Sequence, residues 1–191
     1  MATNIKLSQL GNVLEYLSYP CNGKVHTSNR ARGGSNPYTI TWPNVTVAQT
    51  STSSFALATG STINYMPPPG TTKVIYRFCH TAHSLDIDSI LLYGFFIDNV
   101  EVTRARFVNR LPDYVSSRIV FEWPITIDPN QNSPMIGYVP SWSANRNLQL
   151  QVRDYTASFQ GQLHTMRSFD GANTFTGLVL PTLTLIALQE Y

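Results

Sequence analysis

Pro181-Thr182-Leu183-Thr184-Leu185-Ile186-Ala187-Leu188-Gln189-Glu190-Tyr191 closes the chain, and its reading decides the fold. Thr and Leu alternate at its start, and no Gly or basic residue interrupts it. This composition suits a strand held in a sheet interior better than an edge or a loop. A chain whose final residues are its most strand-like, with no tail after them, is expected to close a β-sandwich with them.

Working outward, Asn147 to Asp154 alternates cleanly, with Leu148, Leu150 and Val152 expected inward and Gln149, Gln151 and Arg153 outward. Asp98-Asn99 lies between the strand-like runs Ile90 to Asp98 and Val100 to Phe107. Both residue types tolerate the left-handed angles of a tight turn, which predicts a β-hairpin. Tyr114 to Ile127 alternates through Ile119, Phe121 and Trp123 until Pro124 limits pairing. Lys73 to Cys79 puts Val74, Tyr76 and Phe78 on one face.

Shorter candidates are Tyr38 to Trp42, Val45 to Gln49, Ser53 to Leu57 and Gln162 to Ser168. Met66-Pro67-Pro68-Pro69-Gly70, Asp128 to Ser133 and Asp170 to Asn173 are breaks. About eight to ten short strands separated by turn signals point to an all-β, antiparallel two-sheet β-sandwich or jelly roll. Ile5 to Leu17 holds the best helical spacing, through Leu7, Leu10, Val13, Leu14 and Leu17, although Gly11 weakens it. A short helix or an arm is expected there, followed by loop composition from Asn22 to Asn36. Residues 1–36 therefore read as an N-terminal arm and loop segment, and 37–191 as the sandwich domain.

At 191 residues the chain fits one domain. Charged residues make up 13%, about half the roughly 25% of ordinary soluble proteins. Such surfaces suit β-rich proteins that work against other subunits or outside cells, because few charges are desolvated when they pack. A net charge of +2 is too mild to imply a nucleic-acid groove or an anionic membrane. No nucleic-acid partner is expected. The N-terminus lacks the apolar run of a signal peptide, and no stretch approaches the ~20 apolar residues of a membrane span, so no membrane insertion is expected.

Cys21 and Cys79 are far apart and outside any C-x-x-C arrangement. They read as two thiols in preference to a disulfide.

The densest group of potential ligands is Cys79-His80-Thr81-Ala82-His83-Ser84-Leu85-Asp86-Ile87-Asp88, expected in a loop after a strand. His80 and His83 with two carboxylates are residue types that bind metals. The H-x-x-H spacing differs from a helical H-E-x-x-H, and a strand end does not bring both rings onto one face. Polar loop residues are the preferred reading, and no metal is assigned.

His26 and His164 stand isolated, and neither a Gly-x-Ser-x-Gly elbow nor an activating cysteine signature is present. No catalytic residue and no cofactor is assigned, and the chain is not expected to be an enzyme. Gly33-Gly34 lacks the lysine and spacing of a P-loop. Arg104, Arg106 and Arg110 read as solvated edge charges. Tyr16, Tyr19, Tyr38, Trp42 and Trp142 lie near predicted loops, where such rings stack on sugars or fill interfaces.

Phe95-Phe96-Ile97-Asp98-Asn99-Val100-Glu101-Val102, Arg118-Ile119-Val120-Phe121-Glu122-Trp123, Leu148 to Tyr155 and the closing strand together resemble trimeric TNF/C1q-like jelly-roll heads. Viruses also use these modules in capsid and fibre proteins. The likeness covers roughly residues 70 to 191 and rests on strand pattern. Asn4-Ile5-Lys6-Leu7-Ser8-Gln9-Leu10 also resembles segments that begin phage tail and fibre proteins.

These resemblances imply a non-enzymatic structural protein of the virion surface, made in the host cytoplasm, that forms a homotrimer. They imply contacts with other virion proteins and with a host-surface glycan or protein receptor. The assembly interface would involve Leu148, Leu150, Val152, Leu183, Leu185, Leu188 and Tyr191, with the closing strand near the threefold axis. The chain departs from secreted relatives in showing no signal peptide, anchor or collagen stalk. A carbohydrate-binding, lectin-like module is the alternative.

Overall fold

A computed structural model describes residues 12–29, 32, 37–85, 88–112, 115–170 and 173–190. In chain order its strands are β1 (Asn12–Pro20), β2 (Val25–Ser28), β3 (Tyr38–Thr41), β4 (Gln49–Thr50), β5 (Ala56–Leu57) and β6 (Ile63–Tyr65). They continue with β7 (Lys73–Ser84), β8 (Asp88–Ile97), β9 (Val100–Pro112), β10 (Ser116–Ile127) and β11 (Tyr138–Val139). The last are β12 (Arg146–Asp154), β13 (Gly161–Leu163), β14 (Thr165–Asp170), β15 (Asn173–Leu178) and β16 (Thr182–Gln189). A single 3-10 turn, Pro134–Ile136, precedes β11 among the described residues.

The first sheet runs β1-β16-β7-β10-β11, and β13 and β4 are added beside the far end of β7. Its ladders are antiparallel, apart from a short parallel pairing of β10 with β11. The second runs β5-β12-β8-β9, with β6 also on β12. Two ribbons, β2-β3 and β14-β15, stand outside these sheets. The chain is an all-β sandwich of several sheets.

Alternation makes the core. On β7, Val74, Tyr76, Phe78 and His80 point inward, and on β12 Leu148, Leu150 and Val152 do the same. Aromatic rings bridge the two sheets: Tyr76 lies 4.9 Å from Phe95, Phe95 5.2 Å from Phe121, and Phe107 stacks on Phe121 at 5.7 Å. Each ring of this size removes a large apolar area from water, so the chain of rings fixes how the sheets face each other.

The expected hairpin forms, with Asp98 (φ 49°) and Asn99 (φ 65°) both left-handed as a two-residue turn between β8 and β9 requires. Asp98 also accepts hydrogen bonds from Asn147 N at 2.8 Å and Arg146 Nη1 at 2.6 Å, which tie the turn to β12. The run expected from Gln162 to Ser168 is two strands. His164, with φ 65°, turns the chain between β13 and β14.

Three expectations are corrected. Where a short helix or an arm was expected from Ile5 to Leu17, residues 12–17 belong to β1, an edge strand whose register runs from Asn12 opposite Gln189 to Pro20 opposite Thr182; residues 1–11 lie outside the described residues. An available ladder on β16 outweighs a weak helical pattern broken by Gly11. The sandwich consequently takes in a strand from within 1–36. Cys79 to Ser84, expected as a loop, are the end of β7, paired with β10 and β13. Val45 to Gln49 contributes only Gln49 to a strand, and Val45 is buried from a loop.

Candidate functional site

Leu148, Leu150, Val152, Leu183 and Leu185 were expected at an assembly interface, and all five are 0% exposed within the single chain. They point between the two sheets, so none offers surface to another copy. Their alternation marked the chain's own core. Leu188 is partly exposed, on a register line with Val13 and Lys73. Tyr191 lies outside the described residues.

His80 and His83 occupy opposite faces of β7, because their spacing along a strand is odd. They cannot share an ion. Asp86 lies outside the described residues, and Asp88 is paired with Arg110 at 2.6 Å. Among the described residues no group of three or more His, Cys, Asp or Glu is placed to hold a metal ion.

His80 instead meets His164, a residue that looked isolated in the sequence. The rings are 5.6 Å apart, and His80 also stacks on Phe78 at 5.3 Å and approaches Tyr93 at 5.7 Å. The pairing of Leu163 with Ala82, and the bond from His164 N to Thr81 O at 2.8 Å, bring the second imidazole in. His80 Nδ1 donates to Thr81 O at 3.1 Å, which leaves Nε2 without a hydrogen. Burial pushes His80 down to about 3, with His164 adding to it, and pushes His164 down to about 4.

Asp154, from the end of β12, lies in the same buried region. It accepts from Ser51 Oγ at 2.5 Å and Gly161 N at 3.2 Å, and burial raises its carboxyl. Among the described residues Asp154 Oδ2, the Tyr93 hydroxyl and His80 Nε2 have no hydrogen-bond partner. Burial holds the two imidazoles neutral, and His80, His164 and Asp154 are each no more than 2% exposed.

A second buried polar group joins Arg32 to Glu15 in an ion pair. Tyr65 Oη donates to Glu15 at 2.8 Å, Arg32 donates to Met66 O at 2.7 Å, and the guanidinium lies 4.5 Å over the Tyr38 ring. Loop composition around Arg32 hid this role, since only the fold brings Glu15 of β1 beside it. Of the loop aromatics, Tyr38, Trp42 and Trp142 are buried and Tyr19 packs edge-on against Trp42 at 5.0 Å. Tyr16 alone of the five is exposed, so these rings form no common platform for a sugar.

Cys21 and Cys79 are both free thiols. Burial pushes Cys21 up to about 12, whereas Cys79 is half-buried and receives a hydrogen bond from Arg118 Nε at 2.9 Å. Between β9 and β10 a groove of about 330 Å³ is lined by residues 104–107 and 120–123. Arg106 and Arg110 pair with Glu101 and Asp88 and remain exposed, as edge charges do.

No family model and no curated protein matches the sequence significantly. Among solved structures the chain is similar to one described as "Structure of infectious bursal disease virus Gx strain", at 10% identity and a TM-score of 0.37. The match covers 94% of this chain and 37% of that one, so the chain spans little more than a third of its length. No helix among the described residues is long and apolar enough to cross a membrane.

Proposed function

We propose that this chain is a jelly-roll structural subunit of a virus particle, without enzymatic activity, that works by assembling with copies of itself and with other virion proteins. The strand order supports this reading. Counting β5 and β6 as one position, eight positions follow in the chain: β1, β5/β6, β7, β8, β9, β10, β12 and β16. The first pairs the last, the second the seventh, the third the sixth and the fourth the fifth. β12 pairs β8 and β16 pairs β7 within the two sheets. One long hairpin rolled over itself would give this order, which supports the jelly-roll reading.

A jelly roll hosts capsid subunits and lectins alike, so the fold does not choose between them. The weakly charged surface favours assembly, since packing against neighbours desolvates few ions. Burial of Tyr38, Trp42 and Trp142 removes the rings a glycan platform would have used. A homotrimeric head, a receptor contact through the outward loops and a place on the virion surface follow from the resemblance in strand pattern. Any such trimer would meet through outer faces and edges, not through Leu148, Leu150 or Leu185.

Light scattering and negative-stain imaging of the purified chain test the reading. Oligomers or particles are the expected result. A protein that remains a monomer throughout the micromolar range, and binds specific glycans on an array, would overturn it in favour of the lectin-like module.

A further inference from the structure

β10 is an edge strand for most of its length. Its inner side pairs with β7 from Ser116 to Thr126, whereas on its outer side β11 reaches only Thr126 and Ile127. At one end Ser116 Oγ is engaged by Arg167 of β14, at 2.7 and 3.1 Å. At the other end Gly137 presses on Trp123 and Pro124: a Cβ there would lie 2.6 Å from Trp123 Nε1 and 3.1 Å from Pro124 O. Between these limits Ser117 to Trp123 forms an edge about 24 Å long at about 3.4 Å per residue that is open among the described residues, with Val120 at its middle.

The solvent face of this stretch carries Arg118, Val120 and Glu122, all exposed, while Ile119 and Phe121 are buried beneath. The pattern reads as its own complement when reversed. If the strand of a second copy runs antiparallel with Val120 opposite Val120, then Arg118 of each copy faces Glu122 of the other. Ile119 then faces Phe121 on the inner side. Shifting the pairing by one residue on each strand places a charge against Val120, and parallel pairing places like charges together. Only the register centred on Val120 matches charge with charge and face with face.

We infer that the β10 edge is a twofold contact with a second copy of this chain, through which the first sheets of two subunits join into one continuous sheet. An exposed edge is a template for such pairing unless something blunts it. Here Val120 is 54% exposed and Pro124 stands outside the central stretch. The charges prefer an intermolecular neighbour. Arg118 bonds the Cys79 thiol, a weak acceptor, and forms no ion pair among the described residues. Glu122 is held by Arg77 at 2.5 Å on the adjacent strand, which leaves it positioned to accept a second guanidinium. The stretch is short against the ~800 Å² per partner of a standard interface, so the contact is weak by itself and sensitive to salt. It adds to the assembly reading the surface through which two copies meet.

Sedimentation of the full chain over the micromolar to millimolar range measures the contact. Arg118→Glu and Glu122→Arg should each weaken dimerisation by about tenfold or more, because symmetry applies each change twice and turns attraction into repulsion. The double variant Arg118→Glu/Glu122→Arg should restore it, since the exchanged pattern is again self-complementary. Both positions are exposed, so circular dichroism should stay native; Arg118→Glu should keep the wild-type unfolding midpoint, whereas variants carrying Glu122→Arg set a cation opposite Arg77 and should unfold slightly earlier.

In a Cys79→Ser background, Val120→Cys should give a disulfide-linked dimer with oxidised glutathione, because directly opposed Cα atoms lie about 4.5–5.5 Å apart, within the span of a disulfide. Single variants that dimerise like wild type, a double variant that fails to recover, or no cross-linked dimer would overturn the contact. Particles that persist with Arg118→Glu would leave the assembly reading standing and remove this surface. A wild-type monomer at every concentration would sink both.

Discussion

Acidification is the most searching perturbation of this fold. His80 and His164 are buried beside each other with Phe78 and Tyr93 around them, and burial holds them at about 3 and about 4. In the unfolded chain both titrate near 6.5. The folded values are lower, so below about pH 6.5 the unfolded state binds protons that the folded state refuses, and stability falls with pH until the native rings themselves protonate.

At about 1.36 kcal/mol per pH unit, lowering the pH to about 5 removes about 2 kcal/mol for each imidazole and about 4 kcal/mol for the pair. That is a large part of the 5–15 kcal/mol, roughly, that holds a domain together. His83, also lowered by burial, acts in the same sense. Asp154 opposes them, because its carboxyl is raised by burial and its native form takes up a proton above the unfolded value.

Urea unfolding at constant ionic strength, from about pH 7.5 to about pH 5, reads the effect as proton uptake on unfolding. The two imidazoles should contribute an uptake of about two protons per molecule near pH 5, to which His83 adds and from which Asp154 subtracts. His164→Asn keeps a residue that tolerates φ 65° and should reduce that uptake by about one. Stability that stays flat across this range, or a variant with the wild-type slope, would refute the account of a neutral imidazole pair between the sheets.

Leu185→Asp buries a carboxylate between the sheets, at a position with no exposure, and should yield no soluble folded protein; a native circular dichroism spectrum would contradict this. Glu15→Ala leaves the Arg32 guanidinium buried without its counter-charge and should lower unfolding free energy by about 3–5 kcal/mol in denaturant titration. Gly60→Ala combines φ 85° with a Cβ 2.6 Å from Val45 Cγ2 and should cost clearly more than the ~1 kcal/mol of a left-handed alanine alone. Gly70→Ala, at φ 88° with its nearest atom at 3.9 Å, should cost only that backbone contribution, so equal melting temperatures for the two would refute the steric argument.

Local patterns identified the elements wherever both ends of the argument lay within one short stretch. Asp98-Asn99 specified its turn, and the alternation around Leu148 and Leu185 specified which side chains face inward. That alternation was equally consistent with a core and with an interface between copies, and burial within one chain decided for the core. Helical spacing near Val13 and Leu17 was a weak local preference, overruled by the ladder that β16 offers.

Amino-acid order by itself determined that this protein is built of strands, where the long ones after β1 lie and which face of each is apolar, because period-two alternation is a property of consecutive residues. Apart from the β8-β9 hairpin, tertiary structure alone decided which strands are neighbours. The meeting of β1 with β16, of Glu15 with Arg32 and of His80 with His164, and the exposure of Arg118, Val120 and Glu122 on an open edge, all depend on register between distant segments. Register is set by the packing of two whole sheets against each other, an energy shared by the entire core and written in no single stretch of the chain.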